Sequence, residues 1–179
     1  MRDLKDASFL FQHSPFSIKR FWENPYRFFV QFFTWSKFEH LVFIIDGKVL
    51  HADLDNGVIF IPLDEYLAKF AVDPVRIYLD EPKKEFNQSD KLKLIEYCKI
   101  KNGEKYDLIG AELAWLDEAS WIRSIFEKRD PQGEWCSGVA IGALVYIGIF
   151  PKQKDRLTPA EAFKKLKKSN LFINRGRIR

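Results

Sequence analysis

Cysteine is scarce in this chain, with two in 179 residues, Cys98 and Cys136. Two thiols cannot build the disulfide scaffold of a small secreted fold, so a hydrophobic core has to hold the domain together. Histidine is limited to three residues, and no two metal-ligating side chains stand at the close spacing of a zinc pair, so neither a metal nor a cofactor is expected. Long apolar runs are missing too. The longest stretch free of charge, Trp135 to Phe150, is interrupted by three glycines and is short for a membrane span. The opening MRDLKDASFLFQ carries charges and lacks an apolar h-region, so no signal peptide is expected and the default compartment is the cytoplasm.

What is abundant is aromatic surface. Phe, Tyr and Trp make up 16% of the residues, hydrophobic residues 46% and charged residues 30%. That balance excludes wholesale disorder and suits one globular domain. The net charge is +4, and the excess sits late: seven Lys or Arg and no acid lie between Phe163 and Arg179. A solvated helix face followed by a loose basic tail, 173–179, accounts for this run. Nucleic-acid binding is a weak reading, because the aromatics and the basic run occupy different parts of the chain.

Residues 1–35 hold Phe16, Phe21, Trp22, Tyr26, Phe28, Phe29, Phe32, Phe33 and Trp35. They read as an appendage of short helices, or as a docking surface for a protein partner. His13 reads as an exposed residue of this irregular stretch. The clearest pattern follows at 40–62. HLVFIID, Asp46-Gly47, KVLHADLD, Asn56-Gly57 and VIFIP form three apolar runs joined by dipeptides that favour tight hairpin turns. The expectation is a three-stranded antiparallel meander. LDEYLAKF then suits one or two helical turns, and Pro74 introduces a fourth strand, VRIYLD.

After Ser89 the chain reads helical. Ser89 caps a helix that ends at Asn102-Gly103, a second covers 107–126, and Asp130-Pro131-Gln132-Gly133 breaks the chain. A third, apolar helix starts near Trp135. Thr158-Pro159-Ala160-Glu161 has the form of a capping box with proline at the first helical position. Strands first and helices later argue for an α+β fold with an antiparallel sheet.

One constellation can do chemistry. A two-residue turn at Asp46-Gly47 sets Ile45 opposite Lys48, Val42 opposite His51, and His40 opposite Asp53. His40, Val42, His51 and Asp53 then share one face. The two histidines become diagonal neighbours, roughly 7–8 Å apart at the backbone. Cys136 opens the apolar helix, where free N–H groups and the helix dipole favour a thiolate and can hold an oxyanion. A thiol, an imidazole base and a polar group that orients the base are the parts of a cysteine hydrolase. Cys98, by contrast, follows Leu94 and Ile95 at helical spacing and reads as a core thiol. Asp107 reads as a helix N-cap, and Trp115, Trp121 and Trp135 as core or interface aromatics.

These motifs, in this order, resemble the circularly permuted papain-like (YiiX-like) branch of the NlpC-type cysteine peptidase superfamily. Ser36-Lys37-Phe38-Glu39-His40-Leu41-Val42 resembles its Ser-His-Val strand motif, with Glu39 in place of a small residue. His51-Ala52 and Asn56-Gly57-Val58 resemble the segment carrying the third polar residue. Gly103-Glu104-Lys105-Tyr106-Asp107 resembles Gly-x-x-Tyr-Asp before a helix. Trp135-Cys136-Ser137 resembles the opening of the nucleophile helix, with Gly138 where an acidic residue often stands.

The resemblance covers 36–172 and implies an antiparallel β-meander packed against the helix that carries the nucleophilic Cys. It implies Cys136, His40 and His51 as catalytic residues; the hairpin pairing offers Asp53 as the other candidate to orient His40, and Tyr106 and Ser137 read as supporting residues. Substrates would be amides, peptides such as those of peptidoglycan, or acyl groups. The related lecithin retinol acyltransferase type transfers lipid acyl groups instead. The alternative to an enzyme is an inactive structural or interaction protein on the same fold, such as a phage assembly component, which would be virion-associated.

Overall fold

The computed structural model describes residues 4–13, 38, 40–53, 55–70, 76–107, 135–151 and 157–178. Strand β1 is Ser8–His13, followed by β2 (His40–Ile45), β3 (Lys48–Asp53) and β4 (Gly57–Pro62). Helix α1 is Leu63–Phe70, strand β5 Arg76–Pro82 and helix α2 Gln88–Lys101. Helices α3 (Cys136–Tyr146) and α4 (Pro159–Ser169) lead to the last strand, β6 (Phe172–Arg177). The strands form one six-stranded sheet in the order β4-β3-β2-β1-β5-β6, with every pairing antiparallel. The fold is α+β, with four helices among the described residues.

The alternation of the strands splits the core into two layers. Phe9, Phe11, Leu41, Phe43, Ile45, Leu50, Ala52 and Val58 face α2, α3 and α4, where they meet Leu94, Cys98, Val139, Ala140, Ala143 and Leu166. Leu10, Val42, Ile44, Val49, Ile77 and Leu79 face the other way, toward Tyr66 and Leu67 of α1. A shift of one residue in β2 or β3 would exchange these two sets and expose both layers.

The hairpins pin that register. Asp46 (φ 54°) and Gly47 (φ 65°) both adopt the left-handed conformation of a two-residue turn, and Ile45 pairs with Lys48 as the sequence implies. The second hairpin is longer than Asn56-Gly57 suggested. Asp53 pairs with Gly57, so three residues form the loop. Gly57 has φ 70°, and a Cβ there would lie 2.4 Å from the Glu104 carbonyl oxygen. That approach is structural: Val58 donates its N–H to Glu104 and Gly103 donates to Val58, each at 2.8 Å. The Gly103–Asp107 motif thus runs alongside the outer strand β4.

Two segments differ from the sequence reading. Ser8–His13 is not a helical turn of an appendage. It is a strand inside the sheet, between β2 and β5. Its SFLFQH pattern buries apolar residues on both faces, which suits a central strand as well as a helix. His13 ends this strand half-buried, with its ring 6.4 Å from that of Tyr78. The basic tail is also not loose: 172–177 pair with β5, and Arg175 Nε donates to Glu81 Oε2 at 2.8 Å. Elsewhere the elements fall where expected, with Asn87 rather than Ser89 capping α2. Thr158 and Glu161 form the reciprocal capping box of α4. The aromatic stretch 14–35, the expected helix beyond Asp107 with Trp115 and Trp121, and the 130–133 breaker lie outside the described residues.

Asp80 is buried between β1 and β6. Burial raises its pKa, against the lowering effect of Asn174, whose Nδ2 donates to Oδ1 at 2.6 Å, and of the Lys167 charge. A carboxyl whose pKa rises on folding stabilises the fold most below the ordinary carboxylate pKa, and that stability is lost as pH rises through the raised value. Asp80→Asn keeps an acceptor for Asn174 and removes the titration. Its melting temperature relative to wild type should climb as pH rises from about 4 to 7, which thermal melts in that range would measure. A constant difference across the range would contradict this. Gly57→Ala should destabilise by about 1–3 kcal/mol in a urea titration, since both its conformation and the Glu104 contact forbid a side chain. A cost within a few tenths of a kcal/mol would show that the loop adapts.

Candidate active site

Cys136 is the first residue of α3, as the sequence implies. The start of this helix is clamped from both sides. Trp135 Nε1 donates to the Leu157 carbonyl at 3.2 Å, and the Ser137 hydroxyl donates to the same oxygen. The Trp135 ring then folds over Gly138, where a Cβ would lie 2.8 Å from ring carbon Cε2. The absence of a side chain at 138 therefore has a local steric cause: an acidic residue would displace the tryptophan.

The thiol reaches the sheet at Leu41. Burial pushes the Cys136 pKa up, and the main-chain amide of Leu41 is the foremost influence in the opposite direction, followed by the Ser137 amide. The ladder explains why that amide is available. β2 pairs with β3 over three rungs, from Ile45↔Lys48 to Phe43↔Leu50. Alternate residues of an antiparallel strand direct their N–H groups at the same neighbour, so Ile45, Phe43 and Leu41 form one series aimed at β3. Leu41 is the member beyond the last rung, and its amide serves the sulfur. The Leu41 nitrogen is one peptide bond from His40, which brings the thiol to the backbone of the expected base.

The thiol is not poised as a low-pKa thiolate. Its residue is 7% exposed, and desolvation outweighs the amides at the helix start. Cys98 is wholly buried and its pKa is pushed up to about 12. It packs in the core between sheet and helices, as expected of a structural thiol.

The two histidines share a face. Their ring centroids are 5.6 Å apart, with planes at 87°. That face is the α1 layer, since the His51 ring lies 4.9 Å from that of Tyr66. The two rings lie on one side of the sheet, as the hairpin register implies. The body of α3 packs on the opposite face. The reason is the pleat: Leu41 and Phe43 face α3, so His40 and Val42 cannot. His51 is fully buried, whereas His40, at the strand's end, is half-buried.

The supporting residues divide. Ser137 is buried and holds the helix start to Leu157. Tyr106 is half-buried and packs against the α3-side core, and Asp107 beside it is buried. The backbone of Asp53 ends β3 opposite Gly57, and its side chain lies outside the described residues. Two residues that the sequence reading passed over join the histidine face. Gln12 is the cross-strand partner of His40, and its Nε2 donates to the Tyr66 hydroxyl at 2.7 Å. The available signal was a single glutamine among the apolar residues of SFLFQH.

The two thiols should differ in reactivity. Iodoacetamide should label Cys136 well before Cys98 in the native protein at pH 8, as single Cys→Ala variants and mass spectrometry would show. Faster labelling of Cys98 would contradict the burial described here.

No family model and no curated protein matches the sequence. Among solved structures, the metalloprotein yiiX from Escherichia coli O157:H7 is similar in fold, with a TM-score of 0.53 and 15% identity. The match covers 93% of this chain and 82% of that one. That structure is described as a metalloprotein. Among the described residues here, no three His, Cys, Asp or Glu side chains gather as a metal-binding group. What the two proteins share at this identity is the arrangement of the chain.

Proposed function

We propose that the chain is a cysteine-dependent hydrolase acting on amide or acyl carbonyls through a thioester on Cys136. The observation that supports this reading is the place of Cys136, at the start of a helix packed on β2, the strand that carries His40. His40 takes the thiol proton as sulfur attacks the substrate carbonyl. Because burial keeps the resting thiol neutral, transfer to His40 accompanies the attack instead of preceding it. The negative charge that develops on the carbonyl oxygen is met by N–H groups at the start of α3. His40 returns the proton to the leaving amine or alcohol. Water then hydrolyses the thioester, with His40 as base again. His51 orients His40, its ring 5.6 Å from the His40 ring.

Peptidoglycan peptides are the first substrate class to test, on the resemblance to the NlpC-type superfamily and the similarity in fold to yiiX. Transfer of the acyl group to another acceptor uses the same intermediate. Cys136→Ala should abolish turnover of a peptidoglycan stem peptide. His40→Ala and His51→Ala should each lower it by on the order of 10²–10⁴, with the fold retained by circular dichroism. Turnover that survives Cys136→Ala would reject the mechanism.

The burial of Cys136 favours a second reading, a structural or interaction protein built on this fold. Under it, stem peptides and acyl esters are not turned over and no thioester accumulates on mixing.

A further inference from the structure

We infer that Tyr66, held by Gln12, is a positioning residue for the His51–His40 pair; its role in turnover rests on the hydrolase reading above. Four side chains from four elements close a circuit on the α1 face of the sheet. Gln12 stands opposite His40 in the β1–β2 ladder. Its Nε2 donates to the Tyr66 hydroxyl at 2.7 Å. The Tyr66 ring lies 4.9 Å from that of His51, at 67°, and the His51 ring lies 5.6 Å from that of His40, at 87°. Gln12, Tyr66 and His51 are all buried to within 1% of complete.

Such a cluster is costly for a core. A buried carboxamide and phenol give up hydration, the bond between them recovers part of it, and apolar residues of the same shape would serve packing as well or better. What the polar pair adds is direction. The Gln12 bond fixes the phenol within its plane, and the fixed Tyr66 ring limits the rotation of His51 on one side. His40 bounds it on the other. An imidazole held between two neighbours at steep angles has little freedom to turn its ring nitrogens away, and orientation of that kind contributes much of the effect of a base-orienting residue. Gln12 also touches the problem from the second side, because it neighbours His40 directly across the ladder.

The test compares Tyr66→Phe with the double variant Gln12→Leu/Tyr66→Phe. The single variant keeps the ring and leaves the buried Gln12 amide without its acceptor, so it should be destabilised. The double variant removes both polar groups and should regain much of that stability. Two readouts separate positioning from packing. In the resting protein, ¹⁵N-edited NMR of the imidazole nitrogens should report changed His51 and His40 signals in both variants. Stem-peptide turnover should fall on the order of 10²-fold in both, including the restabilised one. Unchanged imidazole signals in Tyr66→Phe would overturn the inference. So would turnover that recovers together with stability in the double variant. If wild-type protein turns over no substrate, the hydrolase reading fails, while the imidazole signals still decide whether Tyr66 positions the pair.

Discussion

The site depends on where β2 stops pairing with β3. Three rungs join the strands, from the Asp46-Gly47 turn to Phe43↔Leu50. The next amide in the same series, that of Leu41, is the foremost main-chain influence that lowers the Cys136 pKa against burial. A sheet that continued its ladder would use that N–H for itself. The helix packs on one face of the sheet, and the histidines lie on the other. The clamp of Trp135 and Ser137 on the Leu157 carbonyl fixes the helix start.

The electrostatics of this arrangement differ from those of an exposed nucleophilic cysteine. At an open helix N-terminus the dipole and free amides would lower a thiol pKa. Here burial wins, and the pKa goes up. A neutral resting thiol is protected from casual alkylation and oxidation, since the thiolate is the reactive form. In the proposed mechanism the base then carries more of the task, which gives weight to whatever holds the imidazoles. That task falls to a buried face assembled from β1, β2, β3 and α1, including a strand that precedes the expected start of the domain.

Much of the fold was legible because short-range signals were strong. Asp46-Gly47 set the register of His40 and His51, and Thr158-Pro159 with Glu161 set the start of α4. Cys136 at a helix start followed from the apolar run behind it. β1 was missed because SFLFQH is apolar on both faces and carries no period that distinguishes a central strand from a helix. β6 was missed because Phe-Ile-Asn-Arg-Gly-Arg is polar and basic, and it pairs through backbone bonds that do not depend on side-chain pattern. The face of the histidines was not legible from the strand itself. Leu41, Phe43 and Ile45 on one face and Val42 and Ile44 on the other are equally apolar, so only the helices that cover each layer tell the faces apart. Gln12 and Tyr66 could not have been placed, because their meeting depends on β1 lying beside β2.

The most direct test is crystallographic. A protein crystal reacted with a peptide aldehyde would trap the sulfur–carbon bond and locate the base relative to it. The account predicts a hemithioacetal on Cys136 Sγ, with a His40 ring nitrogen within about 4 Å of the sulfur or of the adduct oxygen. It also predicts the Leu41 amide still directed at the sulfur. A His40 ring turned beyond reach, or an adduct on Cys98, would contradict it.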